Sequence, residues 1–429
     1  MAQPEPKQHH LMPNEVAQSL ITTDDSPPMK HACVIKSSAP PPLWLEYNFS
    51  APLYMLKFTG FSYEPDPFRH PPNQSHRVHR MLGLVWCLAW AGVNAFVASV
   101  TLHEIHTSRM ARGMLDPLTM SVLLCGVKPV RNLLNLLTFI WSQDAHTILL
   151  SAMAQIDRDF HAQFNYRAPW IRAFERFFSI SSLYLAPMLS VWQLTPLYYF
   201  TLLCYVHEKW FIQLRRELRH DLTLTKHKSD FYYEWFIRLT TCVSLMGDFV
   251  SLYLFSSMAM SVVILCLTIY FAIHSSSVIA VNVAAANLSQ TEAVFQTFLP
   301  TWAGIQIATA LIYVICISIA GLRMNESARA MTGVVLHLKT NDERARFNVV
   351  RFIARIQTQH MGWGLSIWKA LPVERSLLFT LFGLISTYAV LLLKLQKDHK
   401  PLTPASPLVD VTGSAAGIVN QTLFRNATL

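Results

Sequence analysis

The chain has 429 residues, of which 52% are apolar and only 14% are Asp, Glu, Lys or Arg, with a formal charge of +9 and a mean hydropathy of +0.29. Soluble domains carry about a quarter charged residues and seldom extend one core past about 300 residues, so this composition excludes a single soluble domain and points to a multi-spanning membrane protein. Lys and Arg lie between apolar runs, not in a basic patch, so no nucleic-acid partner is expected; seven cysteines without C-x-x-C spacing indicate neither a disulfide framework nor a zinc site.

Residues 1–80 hold 13 of the 23 prolines and no apolar run behind a basic start. They read as a cytoplasmic tail without a secretory signal. Within it, Leu43 to Phe61 is apolar and aromatic but broken by Pro52 and Lys57, which suits an interfacial or docked helix better than a span. Five stretches then meet or approach the roughly 20 apolar residues that cross about 30 Å without Asp, Glu, Lys or Arg. They are Met81–Leu102, Phe177–Val206, Phe249–Ile273, Ala293–Leu322 and Ser376–Leu393. A sixth candidate, Met114–Trp141, is interrupted by Lys128, Pro129 and Arg131. The cheapest arrangement crosses with its first half, lets the two cations snorkel to the headgroups, and continues as an amphipathic helix through Leu133, Leu137 and Ile140.

The stretch from Phe177, extended to Leu214, is either one tilted helix or two short ones hinged at residues 193–196. Charge decides. With two helices there are seven spans, and the N-terminal tail, 142–176, 207–240 and 323–375 together hold 27 of the 35 Lys and Arg, against five on the other side. A six-span reading divides them about evenly, so the positive-inside rule favours seven transmembrane helices with a cytoplasmic N-terminus and an extracellular C-terminus. Sequons at Asn287, Asn420 and Asn426 fall on the outer side and are glycosylation candidates. Those at Asn48, Asn73 and Asn325 fall inside, where they would not be used.

The order expected is therefore a tail (1–80), six transmembrane helices (81–322), a cytoplasmic assembly segment (323–375), a last span (376–396) and an extracellular tail (397–429). In the assembly segment Ala328, Met331, Val335 and Leu338 repeat at helical spacing, as do Phe347, Val350, Ile353 and Ala354. Such stripes need a partner: four around an axis make an assembly domain, and two within one chain make a hairpin.

The last 110 residues resemble the insect chemoreceptor superfamily, specifically its gustatory-receptor branch and nematode relatives. The residues carrying this are Phe352 and Gln357, Met361 to Trp368 (MGWGLSIW), Glu374 to Leu378, and Gly383 to Leu393 (GLISTYAVLLL). The signature of the family's last span is Thr-Tyr, five apolar residues, Gln, Phe; Thr387, Tyr388 and the apolar run match, whereas Lys394 and Leu395 replace the last two. Residues 50–61 and 231–270 carry weaker echoes.

The resemblance implies a homo- or heterotetrameric, ligand-gated cation channel in the plasma membrane of sensory neurons, gated by a small-molecule stimulus, with membrane lipid as its surroundings and no cofactor. It implies that the last helix lines the pore, with Thr387, Tyr388, Leu391, Lys394 and Leu395 as pore or gate residues. Leu391 would close by dewetting; a ring of Lys394 would repel cations unless the ammonium snorkels away from the axis. A pocket in the outer bundle would be walled by aromatics, for which Trp86, Trp90, Trp192, Tyr253, Trp302 and Tyr313 are the candidates, although aromatics equally serve as interfacial anchors and packing residues. A light- or peroxide-sensing role within the same family stays open, as does a seven-helix receptor signalling through a G protein or a partner channel. No catalytic residues and no metal site are expected: His103, Glu104 and His106 lack useful ligand spacing, and Gly362-x-Gly364 follows no strand.

Overall fold

The computed structural model describes residues 44–63, 76–112, 117–166, 191–220, 226–284, 290–336, 343–357, 364–367 and 371–398. These form α1 (Trp44–Phe58), α2 (His76–Arg112), α3 (Pro117–Trp141), α4 (Gln143–Phe164), α5 (Val191–His220), α6 (Lys226–Ala284), α7 (Gln290–Arg329), α8 (Met331–Leu336), α9 (Glu343–Gln357), a two-residue antiparallel pair β1 (Ser366–Ile367) and β2 (Leu371–Pro372), and α10 (Arg375–Asp398). The architecture is almost wholly helical because the long charge-free runs can satisfy their backbone in an apolar medium only internally.

Among the described residues, four stretches are long and apolar enough to cross a membrane: Arg77–Thr107, Val122–Trp141, Asp230–Ala272 and Thr301–Leu336. A shorter apolar segment, Arg375–Leu391, lies in α10. Helix α6 has 59 residues, about 88 Å at 1.5 Å per residue, so most of its length lies outside a bilayer core of about 30 Å. The core follows from that extension. Its main cluster joins α1, the end of α3, α4, α5, the first half of α6 and the later part of α7, with contributions from α8, α9 and α10. Among the described residues two small clusters, around Phe271 and around Leu265, lie toward the other end.

Helix α5 is the hub of the main cluster, with Tyr199, Phe200, Leu203, Trp210 and Phe211 all buried. Pro196 lies inside this helix, so residues 193–196 are helical and do not form the hinge the sequence suggested. The candidate third span begins at Phe177, and its residues up to 190 lie outside the described residues, as do the sequons at Asn287, Asn420 and Asn426. Helix α1 docks by one stripe, Leu45, Phe49, Leu53 and Leu56, all buried at three-to-four spacing. Phe49 meets Tyr199 edge-on at 6.0 Å.

Helix α3 departs from expectation. It runs unbroken through Pro129, and Arg131, expected at the headgroups, is 1% exposed. The guanidinium lies over the Tyr313 ring of α7, 3.9 Å from its centroid. Snorkelling needs an open path along the helix surface, and here α6 and α7 cover that face.

Candidate functional site

Polar features interrupt the apolar bundle at several places. The first surrounds Arg131, where the large core gives way to the two small clusters. Tyr253 of α6 and Tyr313 of α7 share a 2.5 Å hydroxyl–hydroxyl hydrogen bond, and Arg131 caps the Tyr313 face. One turn on, the Asn135 carbonyl accepts from Ser256 at 3.2 Å and Ser257 at 3.1 Å. All of these except Ser256, which is half-buried, are shielded from solvent. The cation–π contact is worth about 2 kcal/mol when desolvated, less than the several kcal/mol that burying a charge costs.

The second feature ties the entry to α10 onto the end of α7. The Asn325 amide Nδ2 donates to the carbonyls of Leu365 at 3.2 Å and Val373 at 3.0 Å, and its Oδ1 accepts from the Leu365 N–H at 3.1 Å. One side chain thus holds three backbone groups of the β1–β2 turn. Gly321, one turn earlier, makes the approach possible: a Cβ there would stand 2.8 Å from Val373 Cγ1 and 2.9 Å from Leu365 Cδ2. Arg329 pairs with Glu374, and Arg375 Nε donates to Glu326 at 2.7 Å. Helix α10 therefore cannot move against α7 without breaking this clamp. The sequence reading treated Asn325 only as an unusable sequon; its i, i+4 partner Arg329 and the Glu374–Arg375 pair carried the remaining signal, but pairing across 48 residues is not written in local pattern.

The aromatic candidates do not share one place. Tyr253 and Tyr313 meet as described. Trp86 and Trp90 meet edge-on at 5.8 Å, with Trp86 Nε1 donating to the Phe58 carbonyl at 3.0 Å and Trp90 packed beneath Gly60. That pair fixes the turn after α1 to α2, and the positive φ of 81° at Gly60 makes the turn possible. Trp302 packs edge-on to Phe271 at 6.0 Å in the distant cluster. The side chain of Trp192 lies outside the description.

On α10, Thr387 donates back to the Gly383 carbonyl at 2.8 Å, Tyr388 is half-buried, and Leu391 and Lys394 are exposed on the chain; the Leu395 side chain is not described. Phe379, Leu384, Val390 and Leu391 leave much of the helix surface apolar and uncovered. In α9, Phe352 is buried against Phe236 at 4.7 Å, while Phe347 and Val350 face outward. No metal-holding group of His, Cys, Asp or Glu occurs among the described residues.

A buried histidine lies on α4, a helix that is not among the candidate spans. His146 of α4 stacks on Phe249 at 4.6 Å. Gln143 Nε2 donates to its Nδ1 at 3.2 Å, leaving the Nε2–H to donate to the Tyr199 hydroxyl at 2.5 Å. Burial, with a smaller repulsion from Lys57, holds this imidazole far below its usual range, at about 3. The unfolded chain would take up this proton near pH 6.5, so the stability gained from the neutral ring is complete above that and is lost as pH falls toward 3. Between pH 7 and pH 5 the loss is about 2 kcal/mol. In detergent-purified protein, His146→Gln is expected to flatten the acid limb of the thermal midpoint; an acid limb as steep as that of the wild type would show that other groups carry it.

The helical bundle has the fold of an insect olfactory receptor. The chain superposes on the olfactory receptor OR5 of Machilis hrabei, solved in complex with eugenol, with a TM-score of 0.54, covering 82% of this chain and 98% of that one at 12% identity. In sequence it is similar to the probable G-protein coupled receptor egl-47 of Caenorhabditis elegans, 25% identical over 361 residues, which are 76% of this chain and 69% of that protein. No protein-family profile matches the chain. Both similar proteins are receptors and neither is an enzyme, and the resemblance read from the last span extends to the fold.

Proposed function

We propose that this chain is a subunit of a small-molecule-gated cation channel of the gustatory-receptor type, with seven spans, a cytoplasmic N-terminus and an extracellular C-terminus. The observation that carries this reading is the fold shared with an olfactory receptor over nearly that receptor's whole length. The eugenol complex of that receptor supports a small organic stimulus. In this reading four copies of α10 line a pore at Leu391, Lys394 and Leu395, with Thr387 and Tyr388 beneath them. The uncovered faces of α9 and α10 meet neighbouring subunits, whose burial supplies the apolar contact they lack in a single chain. The Asn325 clamp transmits movement of α6 and α7 to the pore helix. Lys394 lies at the end of α10, where its four-carbon stem lets the ammonium turn away from the axis. Asn287, Asn420 and Asn426 would then be accessible to glycosylation.

A second reading, a receptor that signals through a G protein, is favoured by the name of the nematode relative. The two differ in orientation. Epitope tags at both ends, probed in intact and permeabilised cells, are expected to label only the C-terminus in intact cells. Labelling of the N-terminus alone would remove the channel reading and favour the G-protein one.

A further inference from the structure

We propose that the Arg131 cluster is a binding site for a compact monoanion, either a halide or the carboxylate of a small organic acid. This inference rests on the residues around Arg131 and does not require the channel reading.

The argument is a count of donors, acceptors and charge. Arg131 Nε and Nη2 are buried without a hydrogen-bond partner, and so is Asn135 Nδ2, whose carbonyl is already occupied by Ser256 and Ser257. Arg131 and Asn135 stand at i, i+4 on one face of α3, so these donors share one side of the helix. Against three nitrogens without an acceptor stands, among the described residues of α3, one buried acceptor without a donor, Asn132 Oδ1. On α7, the Thr309 hydroxyl is also buried and unpartnered, one turn from Tyr313. The surplus is of donors.

Charge points the same way. Arg131 carries a guanidinium charge, and Lys128, a second cation, stands one turn away on the same helix. The facing stretches carry no carboxylate: α3 contains no Asp or Glu, and neither do residues 249–284 of α6, beyond Asp248, or 293–325 of α7. The Tyr313 face offsets only part of the cost of desolvation. A water molecule would fill the acceptor deficit without neutralising the charge. A monoanion supplies both, with short charge-assisted hydrogen bonds from the guanidinium. A dianion would overcompensate the buried guanidinium and carries a larger desolvation penalty, so sulfate is expected to be excluded.

The test is thermal unfolding of the full-length protein in detergent at constant ionic strength, with sodium gluconate progressively replaced by sodium chloride, sodium acetate or sodium sulfate. Chloride, acetate or both are expected to raise the midpoint by several kelvin along a saturating curve, and sulfate not to. Chloride alone would identify a halide site, and acetate alone a carboxylate site. In Arg131→Met the saturable shift is expected to vanish. In gluconate that variant should melt at or above the wild type, because it no longer buries an unpaired charge; in the effective salt the order should reverse. Chlorine-35 line broadening on the wild type, and its reversal by acetate, gives a reading that needs no variant. A wild-type midpoint indifferent to chloride and acetate, or a saturable shift that survives in Arg131→Met, would overturn the proposal.

Discussion

Replacing Asn325 by Leu is expected to release the turn before α10 and to raise amide hydrogen exchange across residues 364–377 by about two orders of magnitude. The substitution keeps the volume but leaves the Leu365 N–H and the Val373 carbonyl buried without partners, since Asn325 is what they bind. Each orphaned group costs roughly 1–3 kcal/mol, and 2.8 kcal/mol corresponds to about a hundredfold in the local opening equilibrium. The Leu365 carbonyl keeps its bond from the Val373 N–H at 3.0 Å, so the turn itself survives while its anchorage fails. Gly321→Val should give the same signature by a different route, because its side chain would push against Val373 and Leu365. Glu326→Gln is the control: its pair with Arg375 is largely exposed, and such pairs contribute about 1 kcal/mol or less. Unchanged exchange over 364–377 in Asn325→Leu would show that packing of Val373 and Leu365 holds the segment and that the amide is incidental.

The second large effect is expected at the last helix. In cells where the protein reaches the surface and conducts, Leu391→Ser should raise resting cation leak by roughly tenfold, equivalent to about 1.4 kcal/mol of closed-state preference. A hydroxyl at an apolar constriction lets water remain where leucine excludes it. Lys394→Gln should shift selectivity toward cations if the ammonium faces the axis and leave it unchanged if the side chain turns to the headgroups. Single-channel recording with asymmetric salt distinguishes these outcomes. If Leu391→Ser leaves leak and conductance at wild-type values, α10 does not line a pore at that position.

Much of the helical architecture was legible in composition alone. The charge-free runs from Met81, Phe249 and Ala293 fall inside α2, α6 and α7, because a 20-residue apolar stretch has few alternatives to a helix in lipid. The repeat of Phe347, Val350 and Ile353 marked α9 for the same kind of local reason. What local pattern assigned wrongly was Arg131. A cation near a span end is ordinarily cheapest at the headgroups, and only the covering of that face by α6 and α7 closes the route. The residues around 193–196 were likewise read as a hinge, whereas they are helical and Pro196 lies inside α5.

The sequence by itself determined that this is a helical membrane protein with a helix-patterned segment between its last two apolar runs, and the Thr387–Tyr388 run pointed to the chemoreceptor fold. Those are properties of runs and periods, which each residue carries regardless of its distant neighbours. Only the tertiary structure decided that Tyr253 meets Tyr313 beneath Arg131, that Trp302 stands in a separate cluster, and that Asn325 holds residues 365 and 373. These depend on contacts between segments 40 to nearly 200 residues apart, such as Arg131 with Tyr313, which hydrophobic periodicity cannot specify because every apolar face can in principle pack against many others.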